Sequence, residues 1–274
     1  MTTTPIDLWD PASFDPELRA ALAAHTDLLR AFWSEDALIE AEYEASSRPL
    51  PRRSNPHWPA LDALLADLDA RLRTRVARAW HYTRLTDAEV DGFRVHGPGL
   101  STADAFRARL TAQVGAGLLT QDQAAAIWAA SALLGEQRDA RQGQFCMTAV
   151  PFPPTYDGVE ELLRYWGGEA AAFHLEDEAL RAHLQTIGKP RILEIALPLA
   201  AVRPFTQLAK AVLSAHAHHE VIDAGSFMVD LFAMQPLPPA SLIAVHTEGE
   251  ASYAALGSTH PTHISGTFAA RVIG

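Results

Sequence analysis

The chain has 274 residues, of which 48% are apolar, which is ample for a sizeable core in one large or two small domains. A formal charge of −11 argues against broad nucleic-acid binding, and one cysteine, Cys146, leaves no internal disulfide, thiolate zinc site or redox pair. No apolar run approaches the about 20 residues that span a bilayer, and the Met1-Thr2-Thr3-Thr4-Pro5 start lacks the marks of a signal peptide, so a cytoplasmic globular protein with no membrane partner is expected.

The first residues, to about 15, are polar and broken by proline. Asp15-Pro16-Glu17 then supplies a cap, a first-turn proline and an early acid, and Leu18, Leu22, Leu28, Leu29, Phe32, Trp33, Ile39 and Tyr43 follow at helical spacing, which predicts a helix over 16–46. Ser46-Ser47-Arg48-Pro49-Leu50-Pro51 breaks it. A second helix over 59–77 carries Leu61, Leu64, Leu65, Leu68, Leu72 and Val76 on one face, so the two are expected to form an α-hairpin packed on the rest of the chain.

The organising stretch is 78–87. Val76, Trp80 and Tyr82 give it β character, and Thr86-Asp87-Ala88-Glu89 offers an N-cap with a carboxylate three residues on, so a strand delivers His81 to a helix start. Helices are expected over 102–117 and 121–138, an insert whose Arg107, Arg109 and Arg138 read as a solvated face. Residues 144–150 read as a strand and 159–166 as a short helix stopped by Gly167-Gly168. Strands are expected over 170–174, 191–197, 226–233, 242–246 and 264–273, with helices at 177–186 and 206–218. The fold class is α+β: a helical region over 1–75, then a sheet-based domain over 76–274 interrupted by a helical insert at about 100–140.

His81-x-Thr83 on a strand, then a Tyr165-Trp166-Gly167-Gly168-Glu169 turn, then an acid on a late strand, resembles the ADP-ribosyltransferase-like superfamily, most closely its members that modify nucleic acids. The pattern spans about 76–274 and leaves out the first 75 residues and the insert. The resemblance implies a split β-sheet whose cleft holds NAD: His81 on a ribose hydroxyl, backbone beside it at Tyr82 and Thr83 on the nicotinamide amide, and Tyr165 and Trp166 as walls. A carboxylate that steadies positive charge on the ribose completes such a site. Asp230, in Met228-Val229-Asp230-Leu231-Phe232-Ala233, holds that register, although the family generally has the longer glutamate there, and Glu220 is the other candidate. The implied activity is transfer of ADP-ribose from NAD to an unidentified macromolecular acceptor with release of nicotinamide, the alternatives being an NAD glycohydrolase or a non-catalytic module for binding.

Strand alternation puts Asp230 with Met228 and Phe232, and this face is expected to meet the His81 cleft. Asp230→Asn should then cost most of any NAD turnover and Glu220→Gln less. His216, His218, His219, Glu220 and Asp223 allow a metal reading, but the spacing is not that of two ligands on one helical face, and histidines at a helix C-terminus need no metal. Glu169 reads as an orienting carboxylate or a solvated turn residue, and Cys146 as a buried small hydrophobe. The sequence has no Gly-x-Gly-x-x-Gly, Walker loop, Gly-x-Ser-x-Gly or His-Glu-x-x-His.

Overall fold

A computed structural model describes residues 4–45, 51–135, 138–204, 206–225, 227 and 229–256. The strand expected over 264–273 lies outside them, as does Met228. In chain order the elements are α1 (Pro16–Ala23), α2 (Thr26–Ala45), α3 (Trp58–Leu72), β1 (Val76–Leu85), α4 (Asp87–His96), α5 (Ala103–Gly115), α6 (Gln121–Ala129), α7 (Arg138–Arg141) and β2 (Phe145–Thr148). There follow α8 (Asp157–Arg164), α9 (Gly168–Ala172), α10 (Glu178–Leu184), β3 (Lys189–Pro198), α11 (Leu208–His219), β4 (Asp230–Ala233), β5 (Leu242–Thr247) and α12 (Ala251–Leu256). The fold is α+β, with the strands in one antiparallel sheet ordered β4-β2-β1-β3-β5.

Alternation along β1 sorts its side chains between two cores. Ala77, Ala79 and Leu85 join Leu193, Ile195 and Leu197 of β3 beneath Leu18, Leu22, Leu29, Phe32, Leu64, Leu68 and Leu72 of the N-terminal helices and Leu208, Val212 and Leu213 of α11. Trp80 and Tyr82 join Ile192 on the opposite face, under Val159 and Leu163 of α8 with Trp9 and Tyr253 at the margin. The N-terminal helices thus cover one sheet face. Burying each of their leucines contributes about 1.5–3 kcal/mol, more than their weak surface ion pairs could.

The expected first helix is two helices. His25 bonds back to the last turn of α1 through its backbone N–H, to the Leu22 carbonyl at 3.0 Å, and through Nδ1, to that of Ala21 at 2.8 Å, and α1 ends with only Ala24 and His25 between it and α2. The expected strand at 170–174 is instead the helix α9. Gly167 at φ +79° turns the chain out of α8, and the alanines that follow favour helix and bury Ala171 and Ala172 in a third core with Phe106, Leu110, Ile127, Tyr165 and Trp166. Residues of the insert therefore have a core of their own, shared with the 165–175 turn.

The β1–β3 pair is in register along its whole length, from Val76 opposite Pro198 to Leu85 opposite Lys189. Arg84 closes its far end by donating to the carbonyls of Ile187 at 2.9 Å and Gly188 at 3.1 Å. Gly188 has φ +67°, and a Cβ there would lie 2.4 Å from the Leu85 backbone. Gly188→Ala is expected to destabilise the protein by roughly 2–4 kcal/mol, read as a lower urea midpoint at unchanged slope. A loss too small to move the midpoint would mean that this end of the ladder yields.

Candidate functional site

The other edge of β1 is divided. Near its start Ile6 pairs with Ala77, donating to the Val76 carbonyl at 3.0 Å and accepting from Arg78 at 2.8 Å. In the middle Trp80 pairs with Thr148 of β2, and that is the one registered position between β1 and β2. Past it the two strands part, and the His81 imidazole occupies the gap, with Nδ1 2.7 Å from the Cys146 carbonyl oxygen and the ring 4.4 Å from that of Phe145. A side chain takes the place of a ladder bond.

This geometry fixes the chemistry of the ring. A carbonyl can only accept, so Nδ1 carries the hydrogen. Burial, with the Arg109 guanidinium adding to it and the Cys146 carbonyl opposing it, pushes the His81 pKa down to about 4, so the ring is neutral at pH 7 and Nε2 holds a lone pair. The result is a fixed hydrogen-bond acceptor. The sign of the pH dependence follows, because the folded-state pKa lies below the ordinary 6.5. Between those values the unfolded chain binds more protons, so stability is full above pH 6.5 and is lost as pH falls toward 4. His81→Asn is expected to flatten the pH dependence of the urea midpoint in this window, by a slope of at most ~1.4 kcal/mol per pH unit. Superimposable profiles would show that His81 titrates normally.

Thr83 shares the His81 face and is 8% exposed, while Tyr82 points to the opposite face and donates its hydroxyl to the Phe152 carbonyl at 2.9 Å. Only the backbone of Tyr82 faces the gap. Tyr165 and Trp166 do not wall an open cleft. Trp166 has no exposed surface and Tyr165 has 6%, because both pack into the third core with the insert. Trp166 is nevertheless tied to the start of α4. Trp166 Nε1 donates to Glu89 Oε2 at 2.9 Å, and Glu89 completes the capping box on Thr86 at the start of α4.

Arg109, expected on a solvated face, donates Nε to Glu89 Oε1 at 2.8 Å and lies 5.0 Å from the Trp166 ring. Glu89 and Arg109 are thus the residues that sequence reasoning missed. The Thr86-x-x-Glu89 spacing announced a cap, but nothing in it announced the partners that arrive from 20 and 77 positions away.

The acids are placed differently from expectation. Register runs from Trp80 through Thr148 to Asp230, so Asp230 shares the Trp80 face and not that of His81, which corrects the expectation that it meets the His81 ring. Asp230 is exposed at the sheet edge, and desolvation raises its carboxyl pKa. The protein around the Cys146 thiol desolvates it and, with the charges of Glu169 and Asp230 adding to this, raises its pKa to about 11. Cys146 is exposed rather than buried, because it points away from the main core on the short strand β2, and its raised pKa keeps it protonated. Glu169 pairs with Arg141 at 2.8 Å.

Glu220 caps the end of α11, 3.9 Å from Arg30 and beside His219, on the helical layer. His216 is buried and lies 3.2 Å from the Thr26 hydroxyl, and among the described residues no His, Cys, Asp and Glu side chains group so as to hold a metal ion.

Compared with protein-family models, curated proteins and solved structures, the chain matches none.

No helix among the described residues is long and apolar enough to cross a membrane. The geometry itself defines what this region can do: a neutral imidazole of fixed tautomer stands in a parting between two strands, within reach of the charge of Arg109, which is paired with the half-buried Glu89. It can accept from a hydroxyl and offer backbone groups to an amide.

Proposed function

We propose that the parting of β1 and β2 is the NAD site of an ADP-ribosyltransferase-like protein. The observation that carries this reading is His81, held with Nδ1 on the Cys146 carbonyl so that Nε2 is an acceptor for a ribose hydroxyl. Beside it the β1 edge at Tyr82 and Thr83, released from the β2 ladder, has backbone groups of the kind an amide such as nicotinamide pairs with. Asp230 and Glu220 are the two candidate carboxylates, Asp230 on β4, which pairs with β2 but turns it away from His81, and Glu220 at the end of α11. In this reading NAD loses nicotinamide, and ADP-ribose passes to a macromolecular acceptor or, in a glycohydrolase, to water.

A non-catalytic module of the same fold is the second reading, and it is favoured by Asp230 facing away from the His81 side of the sheet. The experiment is nicotinamide release from NAD by the purified protein, with and without candidate proteins and nucleic acids. Labelling of an acceptor supports the transferase, and release without labelling supports the glycohydrolase. Binding of NAD without release supports the module, and absence of binding overturns the NAD site. Among active outcomes, a larger loss in Asp230→Asn than in Glu220→Gln assigns the acid to Asp230, and the reverse ranking moves it to Glu220.

A further inference from the structure

Glu89 does more than close a helix cap. Its carboxylate, with 13% of the side chain exposed, accepts at Oε2 from the Thr86 backbone at 2.9 Å, from the Thr86 hydroxyl at 3.1 Å and from the Trp166 indole at 2.9 Å. At Oε1 it accepts from Arg109 Nε at 2.8 Å, while the second guanidinium nitrogen lies 2.8 Å away, off line for a hydrogen bond. Three segments distant in sequence therefore meet on one carboxylate: the β1–α4 junction, the insert and the 165–168 turn. A carboxylate taken out of water is tolerated only with its partners in place, so these segments hold or loosen together.

The same helix face reaches His81. Phe93 lies one turn beyond Glu89 on α4, its ring is 6.3 Å from that of Phe145, and Phe145 lies 4.4 Å from the imidazole. A shift of α4 would thus be felt at the ring.

We infer that Glu89 and Arg109 are positioning residues for the His81 site, which makes the helical insert part of that site rather than an appendage. The inference rests on the NAD reading for its function and adds to it a clamp that fixes α4, and through Phe93 and Phe145 the imidazole. A purely structural cap would affect stability alone.

The test compares wild type with Glu89→Gln and Arg109→Lys, each shown to be folded by circular dichroism and a cooperative melt. NAD titration and the NMR signal of the hydrogen-bonded His81 Nδ1 proton, assigned with His81→Asn, are the readouts. In Glu89→Gln the NAD Kd is expected to rise about tenfold, and Arg109→Lys, which keeps the charge without the planar fork, is expected to show a smaller rise of the same kind. The Nδ1 proton signal is expected to weaken or vanish in Glu89→Gln even without NAD.

Folded variants that bind NAD within about twofold of wild type and retain the proton signal would overturn the clamp. If wild type itself does not bind NAD, the NAD reading fails separately, and the proton signal alone decides: its loss in Glu89→Gln supports the clamp and its retention overturns it. Should Glu89→Gln not fold, Arg109→Lys decides by the same readouts.

Discussion

His81→Ala is expected to lower NAD turnover by about a hundredfold or more in protein that still folds, because it deletes the one acceptor fixed in the parting of β1 and β2. The variant also leaves the Cys146 carbonyl without its donor and takes a ring from beside Phe145, so a stability cost of about 1–3 kcal/mol should accompany the loss. His81→Asn separates the two effects. It can return a donor to the carbonyl but lacks the ring acceptor on the far side, so it should recover stability and not turnover. Full turnover in folded His81→Ala would remove His81 from the site, and with it the observation on which the NAD reading stands. A wild type inactive toward NAD, by contrast, would leave the stability half of the prediction intact.

Trp166→Ala is expected to be among the most damaging single changes to the fold. The side chain is fully buried, packs near Phe106 and donates to the half-buried Glu89 carboxylate, so its removal both opens a cavity and takes a donor from a charged acceptor. A loss of roughly 3–5 kcal/mol is the scale for an aromatic truncated to alanine in a packed core. For a chain of this size that corresponds to a fall in Tm on the order of 10 °C. Trp166→Phe keeps much of the bulk and loses the N–H, and should cost about 1.5–3 kcal/mol, the scale of a hydrogen bond to a charged group. A Trp166→Phe variant as stable as wild type would show that Glu89 draws nothing from the indole.

Much of the fold could be read from local pattern. The cap and proline at Asp15-Pro16, the leucine stripe of α3 and the strand-to-helix junction with its Thr86–Glu89 box all reappear in the structure, because each is written within a few residues. The failures share a cause. Residues 170–174 looked like a strand from composition alone, but the two glycines ahead of them start a short helix and a neighbouring core takes its alanines. Strand alternation alone puts Asp230 on one face with Phe232, as in the structure. Which sheet face that became depended on the register with Thr148 and Trp80, and register between distant strands is not written locally. Arg109 looked solvated for the same reason: its partner is 20 positions away on another helix.

The uneven strand pairing also divides the molecule mechanically. β3 binds β1 along its full length and is in turn bound by β5, whereas β2 pairs with β4 along its length and with β1 at one rung, joined there by the His81 and Thr148 side-chain hydrogen bonds and by the packing of Phe145 and Met147. Amide protons of 191–197 should therefore exchange with solvent only through cooperative opening, while those on the β1 edge past Trp80, which has no ladder partner on β2, should exchange sooner. In backbone hydrogen bonds the thinnest seam of the sheet is thus the one that holds His81, so backbone protection is lowest where the imidazole stands.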